Sequence, residues 1–269
     1  AVSWRAMVAY PFVEDVSVAD PGDPRLAEYR GLGDGELMKA RGLFVAEGRI
    51  VVQRLLEDER YAVRSVLVNP AAREALGAVL SSRESAGHRP PVYVAPTDAF
   101  ESIVGFNFHR GCLALAERPQ EPTVESLVER ASLLVVLEGV TNADNVGGVF
   151  RNAAAFGADA VLLSPTCCDP FYRKAIRTSM GATLRVPFAR MPDWAAALGV
   201  LRGAGVSLVA LTPRQPSVSV DEFVTTRAPG RVALIVGTEG PGLSPDVEAM
   251  ADHRVSIPMR SDVDSLNLA

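Results

Sequence analysis

Residues able to do chemistry gather in the second half of the chain, in three polar loops. The first carries Thr141, Asn142, Asp144 and Asn145, with Arg151 six residues after Asn145. The second is Gly237-Thr238-Glu239-Gly240-Pro241-Gly242-Leu243. The third runs from Ile257-Pro258-Met259 through Arg260, Ser261, Asp262 and Asp264 to Ser265-Leu266-Asn267. An arginine in the position of Arg151 is either a solvated side chain leaving a helix face or a planar group that binds anions through paired donors. The glycines of the second loop are spaced G-x-x-G-x-G, which is not the dinucleotide fingerprint, and the chain has no G-K-[ST] for a phosphate loop. Glu239 stands where a phosphate would sit, and a phosphate site avoids that charge. Glycines there let backbone approach a flat or neutral ligand, with Glu239 accepting from hydroxyls or balancing a positive charge. The plainer alternative is a strand-to-helix turn with Glu239 near a helix N-terminus.

Hydrophobic patterning supplies the elements that must hold these loops. Leu133–Leu137 and Ala160–Leu163 read as short strands covered on both faces, and Val146, Val149, Phe150, Ala153 and Ala154 recur between them at helical spacing. That is a β-α-β unit. Further strands are expected at 184–187, 207–211, 232–236 and 255–259, the last with Pro258 inside it, which suits only a sheet edge or a strand end. Helices are expected at 171–180, where Arg173, Lys174 and Arg177 make a basic segment, and at 194–203. Alternating strands and helices imply an α/β domain with a mostly parallel sheet, whose ligands collect at the carboxyl ends of the strands. The loops 138–145, 237–243 and 257–267 all lie at such ends.

Ahead of this domain, residues 43–56 pass from a strand into an amphipathic helix through Glu47-Gly48-Arg49. Strands are expected at 63–68, 92–95 and 112–116, with helical stretches from Asp23 and at 71–80 and 97–104. The expected organisation is an arm over 1–20, a small α/β domain over 21–117, a linker over 118–123 with two prolines in six residues, and a second domain over 124–269.

Composition narrows the function classes. At 269 residues, 48% hydrophobic and 22% charged, the chain can bury two cores. No apolar run approaches the roughly 20 residues of a membrane span. The stretch around Arg5, Glu14 and Asp15 makes a poor signal peptide, so a cytoplasmic address is expected. The three cysteines, Cys112, Cys167 and Cys168, lie in no metal-ligand or C-x-x-C spacing and read as buried or semi-buried thiols, and no metal is expected. A net charge of −5 argues against nucleic-acid binding by bulk charge and leaves room for a local patch. Only Lys39 and Lys174 among the 27 basic residues are lysines. That bias suits bidentate phosphate contacts and equally reflects a GC-rich coding sequence.

Three ordered motifs carry a family resemblance: Asn145-x-Gly147-x3-Arg151, Gly237-x-Glu239-x2-Gly242-Leu243, and Ile257-Pro258-Met259-x5-Ser265-Leu266-Asn267. Together they resemble the SpoU/TrmH family of RNA 2′-O-ribose methyltransferases, over residues 133–269. The segment Phe44–Gly48 gives the first domain a looser similarity to the ribosomal-protein-like substrate-binding domain that precedes the catalytic domain in several rRNA-modifying members. The resemblance implies a catalytic domain with a deep trefoil knot, a topology that spacing alone cannot show. It implies S-adenosylmethionine bound against Thr212, Gly237, Thr238, Ile257, Met259 and Leu266. Around the reacting ribose it implies Arg151, Asn145, Glu239, Ser265 and Asn267. Two departures stand out: Ser261 replaces a family glycine, and Asn142 a frequent acidic residue.

The function so implied is methylation of a ribose 2′-hydroxyl in structured RNA. Because of the added first domain, 23S rRNA is expected ahead of tRNA. A resistance enzyme acting on rRNA and a non-catalytic RNA-binding relative are the alternatives. An arginine is a poor general base, since its pKa exceeds about 12, so Arg151 fits a phosphate- and alkoxide-stabilising role better than proton abstraction. A homodimer is expected through the catalytic domain, with Arg173, Lys174 and Arg177 meeting RNA. Only two residues follow Asn267, whereas the family's knot-closing helix needs several more turns, so continuation of the polypeptide beyond Ala269 is expected.

Overall fold

The computed structural model describes residues 15–30, 41–104, 111–226, 230–260 and 266–268. By internal contacts the chain falls into two units, residues 1–119 with Phe171–Arg173, and residues 120–170 with 174–269. No helix among the described residues is long and apolar enough to cross a membrane.

In the first unit, β1 (Val16–Ser17), β2 (Leu43–Glu47), β3 (Val63–Val68), β4 (Val92–Val94) and β5 (Cys112–Glu117) form a sheet in the order β1-β4-β3-β5-β2. The pairs β1/β4 and β3/β4 are parallel, while β5 runs antiparallel to β2 and β3. Every residue of β2 is buried, and Gly48 then turns the chain with φ 93°, which a side chain resists, into α1 (Arg49–Glu57). The segment expected as an arm enters this sheet: Val16 pairs with Tyr93, and Val18 is buried. Two paired residues are too few to leave a period in sequence. The single helix expected at 71–80 is two, α2 (Pro70–Ala75) and α3 (Gly77–Ser85), parted at Leu76, where ψ reaches 0°. The helical stretch from Asp23 is a 3-10 turn over Pro24–Tyr29, and 97–104 forms α4 (Ala99–Val104).

The second unit holds α5 (Val124–Val128), β6 (Leu133–Leu137), α6 (Ala143–Phe156), β7 (Ala160–Leu163), α7 (Arg173–Thr178), β8 (Phe188–Arg190), α8 (Trp194–Gly203), β9 (Ser207–Leu211), β10 (Val218–Ser219), α9 (Val220–Thr226), β11 (Val232–Val236), α10 (Pro245–Met250) and β12 (His253–Ser256). Its sheet has the order β10-β12-β9-β11-β6-β7-β8 and is parallel throughout. Leu134, Val136, Leu162, Leu208, Ala210, Ala233 and Ile235 pack one face against Leu198 and Leu201 of α8 and Val247 of α10. Strand order reverses around β6 and β11, because the chain steps outward through β7 and β8 and then returns beyond β11 to lay down β9. In a doubly wound sheet that reversal opens a crevice at the carboxyl ends.

One expected strand is displaced. Residues 182–184 form a 3-10 turn after Gly181 at φ 80°, and pairing begins only where Phe188 meets Val161. Likewise β12 ends at Ser256, ahead of Pro258, which has no N–H for a ladder.

Candidate active site

The loop after β11 doubles back on itself at the crevice. Thr238 and Gly242 form a bridge, with Gly242 N donating to the Thr238 carbonyl at 3.0 Å. Gly240 and Gly242 have φ of 82° and 72°, a region that favours glycine. A Cβ on Gly237 would lie 2.3 Å from the carbonyl carbon and oxygen of Gly242 and 2.5 Å from Leu243 N, so the doubled-back loop closes only over a glycine. Its exit is clamped by Glu138 at the end of β6: Ser244 donates its N–H to Oε2 at 2.8 Å and its hydroxyl to Oε1 at 2.7 Å. Ser244 Oγ in turn caps α10 through Val247 N.

This loop walls a cavity of about 660 Å³ at the ends of β9, β11 and β12. The volume falls within the roughly 300–1,000 Å³ of small-molecule sites. Of the cofactor residues implied by resemblance, Thr212, Gly237, Thr238, Ile257, Met259 and Leu266 all line it, and so do Glu239 and Asn267. Ile257 and Leu266 are 47% and 56% exposed, apolar surface a ligand would cover. Thr212 is buried and its hydroxyl is spent on Glu248 Oε1 at 2.7 Å, so it bounds the cavity without a free donor. Glu239 is exposed and has no hydrogen bond or ion pair to any described residue.

The remaining site residues lie elsewhere. Asn142 takes the N-cap of α6, accepting from Asp144 N at 2.9 Å, a role asparagine fills as well as aspartate. Asn145 is buried in the first turn of α6. Arg151 is exposed further along that helix and has no ion pair to a described residue. Neither lines the cavity. Ser265 and the substituted glycine position Ser261 lie outside the described residues. Of the basic segment, Arg173 approaches Glu47 at 3.6 Å and Lys174 pairs with Asp144 at 2.7 Å. Hydrogen bonds from Lys174 and from Thr178 hold the Asp144 carboxyl below its ordinary pKa. Gly147 brings α6 against α7, where a Cβ would meet Ala175 O at 2.6 Å and Thr178 Cβ at 2.9 Å.

Sequence reasoning missed Arg214 and Glu248. A second cavity, of about 510 Å³, opens at the ends of β6, β7 and β11, shares Thr238 and Gly242 with the first, and has Arg214 in its lining. Arg214 Nη1 donates to Leu243 O at 2.9 Å and Nη2 to Pro241 O at 2.5 Å, across the back of the glycine loop. Neither residue belongs to a motif, and apart from the Glu248–Arg254 pair they act through groups 27 to 36 residues away in sequence.

Fold and site together define a class. The model of the SpoU rRNA Methylase family matches residues 132–269, and the chain belongs to that family of RNA methyltransferases. In particular, it is 40% identical over 256 residues to an uncharacterised tRNA/rRNA methyltransferase of Mycobacterium tuberculosis (strain ATCC 25618 / H37Rv), covering 94% of this chain and 87% of the relative. It is 30% identical over 222 residues to the 23S rRNA (guanosine-2′-O-)-methyltransferase RlmB of Xanthomonas campestris pv. campestris, covering 80% of this chain and 86% of the relative. Among solved structures, an AdoMet-bound rRNA methyltransferase from Sinorhizobium meliloti superposes with a TM-score of 0.75 at 22% identity, covering 94% of this chain and 92% of that one. That last likeness concerns the fold.

Proposed function

We propose that this protein transfers a methyl group from S-adenosylmethionine to a ribose 2′-hydroxyl of structured RNA, with 23S rRNA as the substrate. The observation that carries the reading is the glycine-walled cavity at the ends of β9, β11 and β12, which brings the second and third motifs together. The fit to S-adenosylmethionine rests on the Gly237–Gly242 approach, which admits backbone where a Cβ could not stand, and on the apolar Ile257, Met259 and Leu266 beside it. S-adenosylmethionine, when bound, supplies an electrophilic methyl group on a sulfonium.

The chain's own residues do the rest. Thr212 and the Gly237–Gly242 backbone bound the donor cavity. Glu239 faces solvent at its rim without a partner among the described residues and accepts the proton that leaves the ribose hydroxyl, since a carboxylate accepts where a guanidinium cannot. Arg151 holds the target phosphate and steadies negative charge on the ribose oxygen. Ser265 and Asn267 orient the hydroxyl for in-line attack. Support for the ribose hydroxyl and for rRNA comes from the RlmB relative at 30% identity. Incubating the protein and labelled S-adenosylmethionine with unmodified rRNA and tRNA, then mapping alkali-resistant linkages, tests the proposal. Label in a base, or in neither RNA, would sink it.

A further inference from the structure

The donor cavity is walled by three chain segments, and a single buried carboxylate ties two of them directly and the third through Arg214. Glu248, on α10, is 7% exposed. Its Oε1 accepts from Thr212 Oγ1 at 2.7 Å, in the loop after β9, and from Arg214 Nη1 at 3.3 Å. Its Oε2 accepts from Arg254 Nη2 at 2.7 Å, on β12. Arg214 continues the chain of contacts onto the carbonyls of Pro241 and Leu243, in the loop after β11. Neither Glu248 nor Arg214 lines the donor cavity itself.

A carboxylate this buried costs desolvation, which is offset only where several charge-assisted donors meet it. The two guanidinium groups and one hydroxyl do so here, Thr212 and Arg214 from the loop after β9 and Arg254 from β12. The glycine loop, by contrast, has one short internal bridge, between Thr238 and Gly242, and the Glu138 clamp holds only its exit at Ser244. Left to itself, a loop of three glycines and a proline samples many conformations.

We propose that Arg214 and Glu248 are positioning residues for the methyl donor: Arg214 straps the 237–243 loop into its binding shape, and Glu248 fixes Arg214 to the β9 and β12 walls. This rests on the reading of the cavity as the S-adenosylmethionine site. Arg214 belongs to the donor half of the site and takes no part in the transfer step.

The experiment uses the full chain and three variants: Arg214→Ala, Arg214→Lys and, as a control, Arg202→Ala. Arg202 makes a comparably exposed ion pair, with Asp252, on the same unit but touches neither cavity. Hydrogen exchange of the 237–243 amides without ligand reads the strap directly. Arg214→Ala should exchange about tenfold faster there, with Arg202→Ala unchanged, the factor expected for about 1.4 kcal/mol of lost charge-assisted bonding. S-adenosylmethionine should bind Arg214→Ala about tenfold more weakly while kcat at saturation stays within about twofold. Lysine keeps the pairing with Glu248 but cannot span both carbonyls, so Arg214→Lys should fall between the two. Unchanged exchange in Arg214→Ala overturns the proposal, as does a lost kcat with unchanged donor affinity, which would make Arg214 a substrate residue. Faster exchange in a protein whose wild type binds no S-adenosylmethionine would leave the strap standing and remove the methyl-transfer reading instead.

Discussion

At the scale of the residue, Arg151 and Glu239 share a property that separates them from six other charged groups of the second unit. Asp144, Glu248, Asp252, Lys174, Arg202 and Arg214 are held in ion pairs. Arg151 and Glu239 have no ion pair to a described residue, and an uncommitted charge beside a cavity or on a loop-proximal helix is available to a substrate. Arg151→Ala should therefore lose on the order of 3 kcal/mol or more of transition-state stabilisation. Its affinity for S-adenosylmethionine should stay within a few-fold, read by calorimetry beside single-turnover methyl transfer. Near-normal turnover would remove Arg151 from the reaction. Asn267→Ala should damage both binding and turnover, because Asn267 lines the donor cavity. Gly237→Ala asks a harder question of the backbone. Its Cβ would meet main-chain atoms at 2.3 Å and no side chain that could swing away, so donor binding should vanish and the unfolding midpoint should fall. Retained donor binding would show that the loop can open without cost.

At the scale of the element, the packing of α6 on α7 gives a test of a different kind. A methyl group on Gly147 would stand 2.6 Å from Ala175 O, so Gly147→Ala should cost about 1–3 kcal/mol of unfolding free energy by overpacking. The Asp144–Lys174 pair beside it adds a pH dependence. The Asp144 pKa is lowered, first by the Lys174 hydrogen bond and then by Thr178. Its contribution to stability is thus present above the unfolded carboxylate pKa of 3.8 and is lost as pH falls through the lower folded value. Thermal unfolding should place wild type above Asp144→Asn at neutral pH and bring the two together in strong acid. A gap that persisted in acid would assign the effect to Thr178 packing alone. The elements themselves were legible to different degrees. The strands 133–137, 160–163, 207–211 and 232–236 are buried apolar runs with clear stops, and the structure has them at those bounds. The strand expected at 184–187 was not legible. Leu184, Val186 and Phe188 do alternate inward, but only pairing with β7 decides where a ladder begins, and Val161 N reaches back to Pro187 O. Periodicity reports which side chains are buried and says nothing of which backbone finds a partner. For the same reason the Glu138–Ser244 clamp, 106 residues apart, and the Arg214–Glu248 strap had no sequence signal, whereas the glycine loop and its neighbouring motifs did.

At the scale of the whole molecule, the difficulty is how a chain of net charge −5 engages a polyanion. Two of the basic groups expected to meet RNA, Arg173 and Lys174, lie against Glu47 and Asp144, so the local field is weaker than the sequence of that segment suggests. Replacing Arg173 and Arg177 together should still weaken RNA binding and flatten its salt dependence by about 0.7–0.9 in slope per lost phosphate contact, with donor affinity unchanged. A salt slope equal to that of wild type would move the RNA surface elsewhere. Pairing of two chains offers the larger gain, because it doubles the basic surface presented to one RNA. The helix α6 leaves Arg151, Asn152, Ala154, Ala155 and Phe156 exposed, and Phe156 is 80% exposed, an unusual state for a large aromatic on a helix that otherwise buries Val146, Val149 and Phe150. A two-fold contact through this face would cover Phe156 and present Arg151 to the partner chain. Light scattering at micromolar concentration should accordingly give twice the chain mass, and Phe156→Glu should halve it without lowering the unfolding midpoint of the isolated chain. A wild-type protein that is monomeric under those conditions would refute the homodimer, and a dimer indifferent to Phe156→Glu would place its interface on another face.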